Sequence, residues 1–195
     1  LPVIIASNHL SFSDSVFMPL VVPRKVTFLA KSEYFTSPGV KGFAKKLTFK
    51  ALGQVPVDRT GGRRSEAAIL TGLDILREGN CIGIYPEGTR SPDGRLYKGR
   101  TGIARMAIES GAPVVPVAMF NTAEIQPTDK VVPKLRQVEM VFGEPMYFEG
   151  DSTDIQTLRE ATDRIMREIQ RLSGQEYVEM YASEAKNKLA RGEKF

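Results

Sequence analysis

Residues 63–90 read RRSEAAILTGLDILREGNCIGIYPEGTR, and this stretch decides the fold class. Its first part places Ile69, Leu70, Leu73 and Leu76 at helical spacing over Arg64 to Arg77. Gly79 follows, the residue type that most easily takes the left-handed conformation after a helix. Cys81 to Tyr85 is then a short apolar run of the kind that forms a strand buried on both faces, and it empties into the polar segment Pro86-Glu87-Gly88-Thr89-Arg90-Ser91. Helix, tight stop, buried strand and polar loop together are one unit of an α/β sheet.

Working outward, four more brief runs have the same character: Val3 to Ala6, Val26 to Ala30, Gln54 to Val57 and Val114 to Phe120. Val138, Met140 and Phe142 alternate with Gln137 and Glu139, which predicts a half-exposed strand with those three side chains inward. Thr153 to Leu172 reads as a helix, with Thr153 and Gln156 in capping-box spacing and Ile155, Leu158, Ala161, Ile165, Ile169 and Leu172 on one face. A last helix is expected over Glu176 to Ala190. No repeat, low-complexity tract or flexible linker interrupts the 195 residues. The expectation is a single α/β domain over 1–195, a largely parallel or mixed central sheet flanked by helices, with a motif-bearing core in 1–150 and C-terminal helices in 153–191.

Composition narrows the chemistry. One cysteine, Cys81, and one histidine, His9, exclude disulfide frameworks, paired-cysteine zinc sites and two-histidine metal sites, so no metal is expected. No window approaches the ~20 apolar residues that span a bilayer. The chain opens without methionine inside a strand-like run, so a preceding segment that could anchor it is expected. The net charge of +4 divides unevenly: residues 1–105 carry +8 and the remainder −4. A basic half suits an anionic partner such as phosphate groups, a nucleic acid or an anionic membrane.

Ligands of open α/β sheets bind beyond the carboxyl ends of the strands, where this chain places Asn8-His9, Lys31, Asp58-Arg59, the Glu87 loop and Asn121-Thr122. Within Asn8-His9-Leu10-Ser11-Phe12-Ser13-Asp14, four residues separate the histidine from the aspartate. On a continuous helix the two would lie ~140° apart, so pairing requires a turn that puts Asp14 in the first residues of a helix. Paired in that way, the carboxylate fixes the imidazole tautomer and leaves the other ring nitrogen free as a base. The same residue types also merely end a strand and start a helix. Cys81 lies in a buried run and no Gly-x-Ser-x-Gly elbow is present, so a base acting on a substrate hydroxyl is simpler than covalent catalysis. Gly88, Thr89 and Arg90, followed by the basic stretch Gly94 to Arg100, have the makings of an anion cradle, although neither a P-loop nor a dinucleotide fingerprint occurs.

Taken jointly, four blocks resemble the glycerolipid acyltransferase family: Asn8-His9 through Asp14, Val57-Asp58-Arg59, Glu87 through Ser91, and Val114-Val115-Pro116-Val117. The resemblance runs from residue 8 to 117, and the region after 145 adds nothing diagnostic. It implies His9 as general base, Asp14 as its orienting partner, Arg59 with Glu87, Gly88, Thr89 and Arg90 on the acceptor's phosphate, and Pro116 in the block associated with the acyl donor. Lys31 is a further anion contact expected from its charge and strand-end position. The implied reaction moves an acyl group from acyl-CoA or an acyl carrier protein to 1-acylglycerol-3-phosphate, with no cofactor. Another lipid acceptor, such as glycerol-3-phosphate, another lysophospholipid or a glycolipid, is the alternative; a noncatalytic module binding nucleic acid or anionic membrane explains the charge but not the His9/Asp14 pair. Nucleic acid is not an expected partner, because aromatic-basic interleaving and finger spacing are missing. Lys41, Lys45, Lys46 and Lys50, with Val40, Phe43, Ala44, Leu47 and Ala51 at helical spacing, suggest a basic amphipathic helix for peripheral docking on the cytoplasmic face of a membrane.

Overall fold

The computed structural model describes residues 1–31, 54–57, 64–125, 137–193 and 195. In chain order its elements are β1 (Val3–Ser7), α1 (Asp14–Val21), β2 (Val26–Lys31), β3 (Gln54–Val57), α2 (Arg64–Arg77), β4 (Cys81–Ile84), β5 (Leu96–Tyr97), α3 (Gly102–Ser110), β6 (Val114–Phe120), α4 (Thr122–Ile125), β7 (Glu139–Phe142), α5 (Ile155–Ser173), β8 (Tyr177–Val178) and α6 (Ala182–Ala190). Six strands form one sheet in the order β3-β2-β4-β1-β6-β7. Every neighbouring pair is parallel except β6 with β7. The expected α/β fold in one domain, with a mostly parallel sheet flanked by helices, is the observed one.

The parallel strands alternate between two apolar cores, which explains why their sequences are continuously hydrophobic. Ile4, Ala6, Ile82 and Val114 face α2, α3 and α5, where Leu73, Leu76, Ile103, Ile165 and Ile169 complete the larger core. Ile5, Cys81, Val117 and Met119 face the other way, with Met18 of α1. β1 lies at the centre of the sheet, between β4 and β6. The segments that follow these strands therefore converge at one edge.

Three local expectations need correction. The N-cap of α5 is Asp154, not Thr153: its carboxylate accepts from the amides of Gln156 (3.3 Å) and Thr157 (2.9 Å), while the Thr153 amide and hydroxyl turn to Asp151. Ile155 and Phe142, expected to face inward, are 68% and 43% exposed. The helix expected from Glu176 begins only at Ala182, because Tyr177 and Val178 pair in parallel with Leu96 and Tyr97 of β5. This ribbon and α6 close a small third core of Tyr97, Ala182 and Ala185. The expected basic helix carrying Lys41 to Lys50 lies outside the described residues.

Candidate active site

β1 runs straight into the site. Beyond Ser7, the Asn8 side chain reaches across to β6: its carbonyl accepts from the Met119 amide at 2.8 Å, and its amide donates to the Met119 carbonyl at 3.1 Å. This side-chain bridge prolongs the β1–β6 pairing by one residue and fixes where the chain turns. Ser11 to Ser13 make the turn, and Asp14 is the first residue of α1. The turn required for a His9–Asp14 pair is therefore present, and His9 Nδ1 lies 2.8 Å from Asp14 Oδ2.

The same carboxylate oxygen accepts from the amides of Leu10 (2.8 Å) and Ser11 (2.9 Å), so the turn is wrapped around it. Asp14 is fully buried, while the His9 side chain keeps 16% of its surface exposed. A carboxylate on Nδ1 selects the tautomer with the proton on that nitrogen and leaves Nε2 with a free lone pair. The ring plane is set by Tyr85, which stacks on His9 with centroids 3.9 Å apart and planes 9° apart. Tyr85 in turn shares a 3.0 Å hydrogen bond with the Ser15 hydroxyl of α1 and stacks on Phe28 of β2 at 5.6 Å. Desolvation, reinforced by the nearby Asp14 charge, holds the Tyr85 phenol well above its ordinary range.

The loop after β4 meets this turn directly. The Ser91 amide donates to the His9 carbonyl at 2.7 Å. Glu87, expected among the anion ligands, is placed differently: its two oxygens accept from the amides of His9 (3.1 Å) and Tyr97 (2.9 Å). It is 1% exposed, and desolvation outweighs these two donors, pushing its carboxyl up to about 7. A buried carboxyl committed to backbone amides ties the His9 turn to β5 rather than receiving a phosphate, which would repel it.

Gly88 sits at φ +75°, in a turn closed by its amide on the Tyr85 carbonyl, and a Cβ there would come within 2.8 Å of Arg100 Nε. The positive φ is what calls for glycine, since the Arg100 side chain is flexible enough to move aside. Thr89 accepts a 2.7 Å hydrogen bond at Oγ1 from Lys186 of α6, and Arg90 beside it is half-buried. His9, Asp14, Gly88, Thr89 and Arg90 thus lie at one edge of the sheet.

Pro116 lies elsewhere. It is buried within β6 opposite Ala6, with its carbonyl on the Gly143 amide at 2.8 Å, inside the sheet rather than beyond its end. Lys31 ends β2 in register with Val57, but its side chain and all of Arg59 lie outside the described residues. Burial raises the Cys81 thiol above its usual value, as expected of a core cysteine.

Three participants escaped the sequence reading. Tyr85 ends the quoted strand, where a stacking aromatic has no distinguishing pattern. Gln175 accepts from the Asn8 amide at 2.8 Å and donates to the Gly94 carbonyl at 2.6 Å, joining both motif loops. Lys186 comes from the region without a diagnostic motif.

Comparison with known proteins identifies the family. The sequence profile described as Acyltransferase matches residues 1–120. A chloroplastic 1-acyl-sn-glycerol-3-phosphate acyltransferase of Brassica napus is 30% identical over 155 residues, which are 79% of this chain and 43% of that protein. The 1-acyl-sn-glycerol-3-phosphate acyltransferase of Bacillus subtilis is 31% identical over 146 residues, 74% of this chain and 66% of its own. The crystal structure of the 1-acyl-sn-glycerophosphate acyltransferase PlsC from Thermotoga maritima superposes with a TM-score of 0.63 at 25% identity, over 88% of this chain and 66% of that one. The chain thus spans less than half of the Brassica protein and about two thirds of the other two. With the profile matched across the residues that build the His9 site, the chain belongs to the acyltransferase family.

Proposed function

We propose that this chain transfers a fatty acyl group from an acyl thioester, carried by CoA or an acyl carrier protein, to the free hydroxyl of 1-acylglycerol-3-phosphate, yielding phosphatidic acid. The observation that carries the reading is the partly exposed His9 imidazole, held at Nδ1 by Asp14 and flanked by the loop that presents Thr89 and Arg90. Nε2 takes the proton of the acceptor hydroxyl as its oxygen attacks the thioester carbonyl. Collapse of the tetrahedral intermediate breaks the C–S bond, and the imidazolium proton passes to the departing thiolate. One base serves both steps and no cofactor is needed. Holding acceptor and thioester beside it makes the attack effectively unimolecular. Arg90 provides a fork suited to the acceptor's phosphate, with Arg59 and Lys31 completing the cationic set. The names of the relatives support the same acceptor.

The substrates are lipids, so the reading includes peripheral association with an anionic membrane through Lys41, Lys45, Lys46 and Lys50. Among the described residues no helix is long and apolar enough to cross a membrane. Replacing the four lysines by glutamate is expected to abolish binding to anionic vesicles in a flotation assay, and unchanged binding would refute the docking reading.

The deciding measurement is thiol release from palmitoyl-CoA, with and without 1-acylglycerol-3-phosphate, by wild type and His9→Ala, with the lipid product identified by mass spectrometry. Acceptor-dependent release should fall by about 10²–10⁴-fold in His9→Ala without loss of the folded circular-dichroism spectrum. Normal turnover by His9→Ala would remove it as the base. Release that depends on another lipid acceptor would transfer the mechanism to that acceptor.

A further inference from the structure

Lys186 lies in α6, far outside the matched region, yet its Nζ donates to Thr89 Oγ1 at 2.7 Å. Its position is well defined. Ala182 and Ala185 on the same helix are fully buried against Tyr97, and the residues around the helix start grip Arg100: its guanidinium lies 5.0 Å from the Tyr181 ring centroid and donates to Ser183 Oγ at 3.1 Å. Desolvation, with the Arg90 charge, lowers the ammonium's pKa, and the Glu87 carboxyl opposes that shift only in part. Among the described residues neither Lys186 nor Arg90 forms an ion pair. The carboxyl of the same loop, Glu87, is occupied by two backbone amides. Lys186 is thus held, partly desolvated, at the hydroxyl of the residue next to Arg90, where a further anion would be favoured.

We infer that Lys186 is a substrate-binding residue, the second cation beside Arg90 for the phosphate of the acceptor, supplied by the C-terminal helix rather than by the four sequence blocks. The inference rests on the acyl-acceptor reading given above. One of the three ammonium donors is spent on Thr89, and the remaining two are available to phosphate oxygens. Arg90 supplies the planar fork and Lys186 a compact charge. The Thr89 bond orients the ammonium in the free protein, which limits the ordering cost when the phosphate binds.

The test compares wild type, Lys186→Gln and Lys186→Arg on two acceptors, 1-acylglycerol-3-phosphate and the uncharged 1-acylglycerol, with glycerol-3-phosphate binding followed by ³¹P relaxation. Lys186→Gln is expected to raise KM for the phosphorylated acceptor about tenfold with kcat within about twofold, and to leave kcat/KM for the uncharged acceptor unchanged. Lys186→Arg should recover most of the lost affinity. Equal losses on both acceptors would mean that Lys186 only props the Thr89 loop, and unchanged KM would mean no contact at all; either overturns the inference. Lys186-dependent binding of glycerol-3-phosphate by a wild type that transfers no acyl group would preserve the anion site and defeat the proposed reaction instead.

Discussion

His9 is made useful by two neighbours acting in different directions: Asp14 along the ring plane and Tyr85 across its face. Asp14 gains its position from the turn amides of Leu10 and Ser11, so the carboxylate and the loop define one another. Asp14→Asn is expected to lower kcat by about 10²-fold or more while the domain stays folded, because an amide can present its N–H₂ to Nδ1 and favour the wrong tautomer. Burst-free steady-state kinetics alongside circular dichroism checks both halves of that statement. Glu87 gives a second residue-scale outcome. Its carboxyl is raised from 4.5 to about 7, so the fold favours the protonated form. The stability this contributes is fully present below about pH 4.5 and is lost as pH rises through about 7, a change of about 3 kcal/mol at most. Urea unfolding of Glu87→Gln across this window should show a flatter pH dependence than wild type. An unaltered slope would assign the titration to another group.

At the scale of elements, the sheet holds the site through an aromatic stack. Phe28 of β2 supports Tyr85 at the end of β4, which supports His9 after β1. Gly83 leaves room for it, since a Cβ there would stand 2.4 Å from the Phe28 ring. Gly83→Ala should destabilise the domain by about 1–3 kcal/mol through overpacking and lower turnover, although it touches no polar group of the site. A variant with wild-type kcat would show that the stack does not transmit the displacement. On α5, Asp154→Ala should lower Tm by ~2–4 °C and Thr153→Ala by less, which calorimetry can resolve.

Across the whole molecule, the C-terminal segment fastens the motif loops from outside. Gln175 bridges Asn8 and Gly94, β8 adds to β5, and α6 brings Lys186 to Thr89. Truncation after Gly174 should therefore cost turnover even though every residue of the four blocks is retained. It would also uncover the buried side chains of Leu96 and Tyr97, detectable as increased dye binding. The local pattern of the sequence was sufficient for β1, β2, β3, β4 and β6, because short, mostly apolar runs suit strands buried on both faces, and for α2, whose apolar period and following Gly79 are local signals. The spacing of His9 and Asp14 also carried its own geometric demand, a turn into a helix, which needs no distant contact. Other features had no local signature. Thr153 and Asp154 are both acceptable caps, and the folded chain uses Asp154 while Thr153 bonds Asp151. Tyr177 and Val178 became a strand only because β5 offered an open edge. Glu87 became a buried tie because two amides from separate segments meet at it. Lys186 and Thr89 are 97 residues apart, and Asn8 and Gln175 are 167 apart. Periodicity and propensity act over a few residues, whereas such pairings are selected by which surfaces the closed chain leaves to be covered, so only the tertiary structure could decide them.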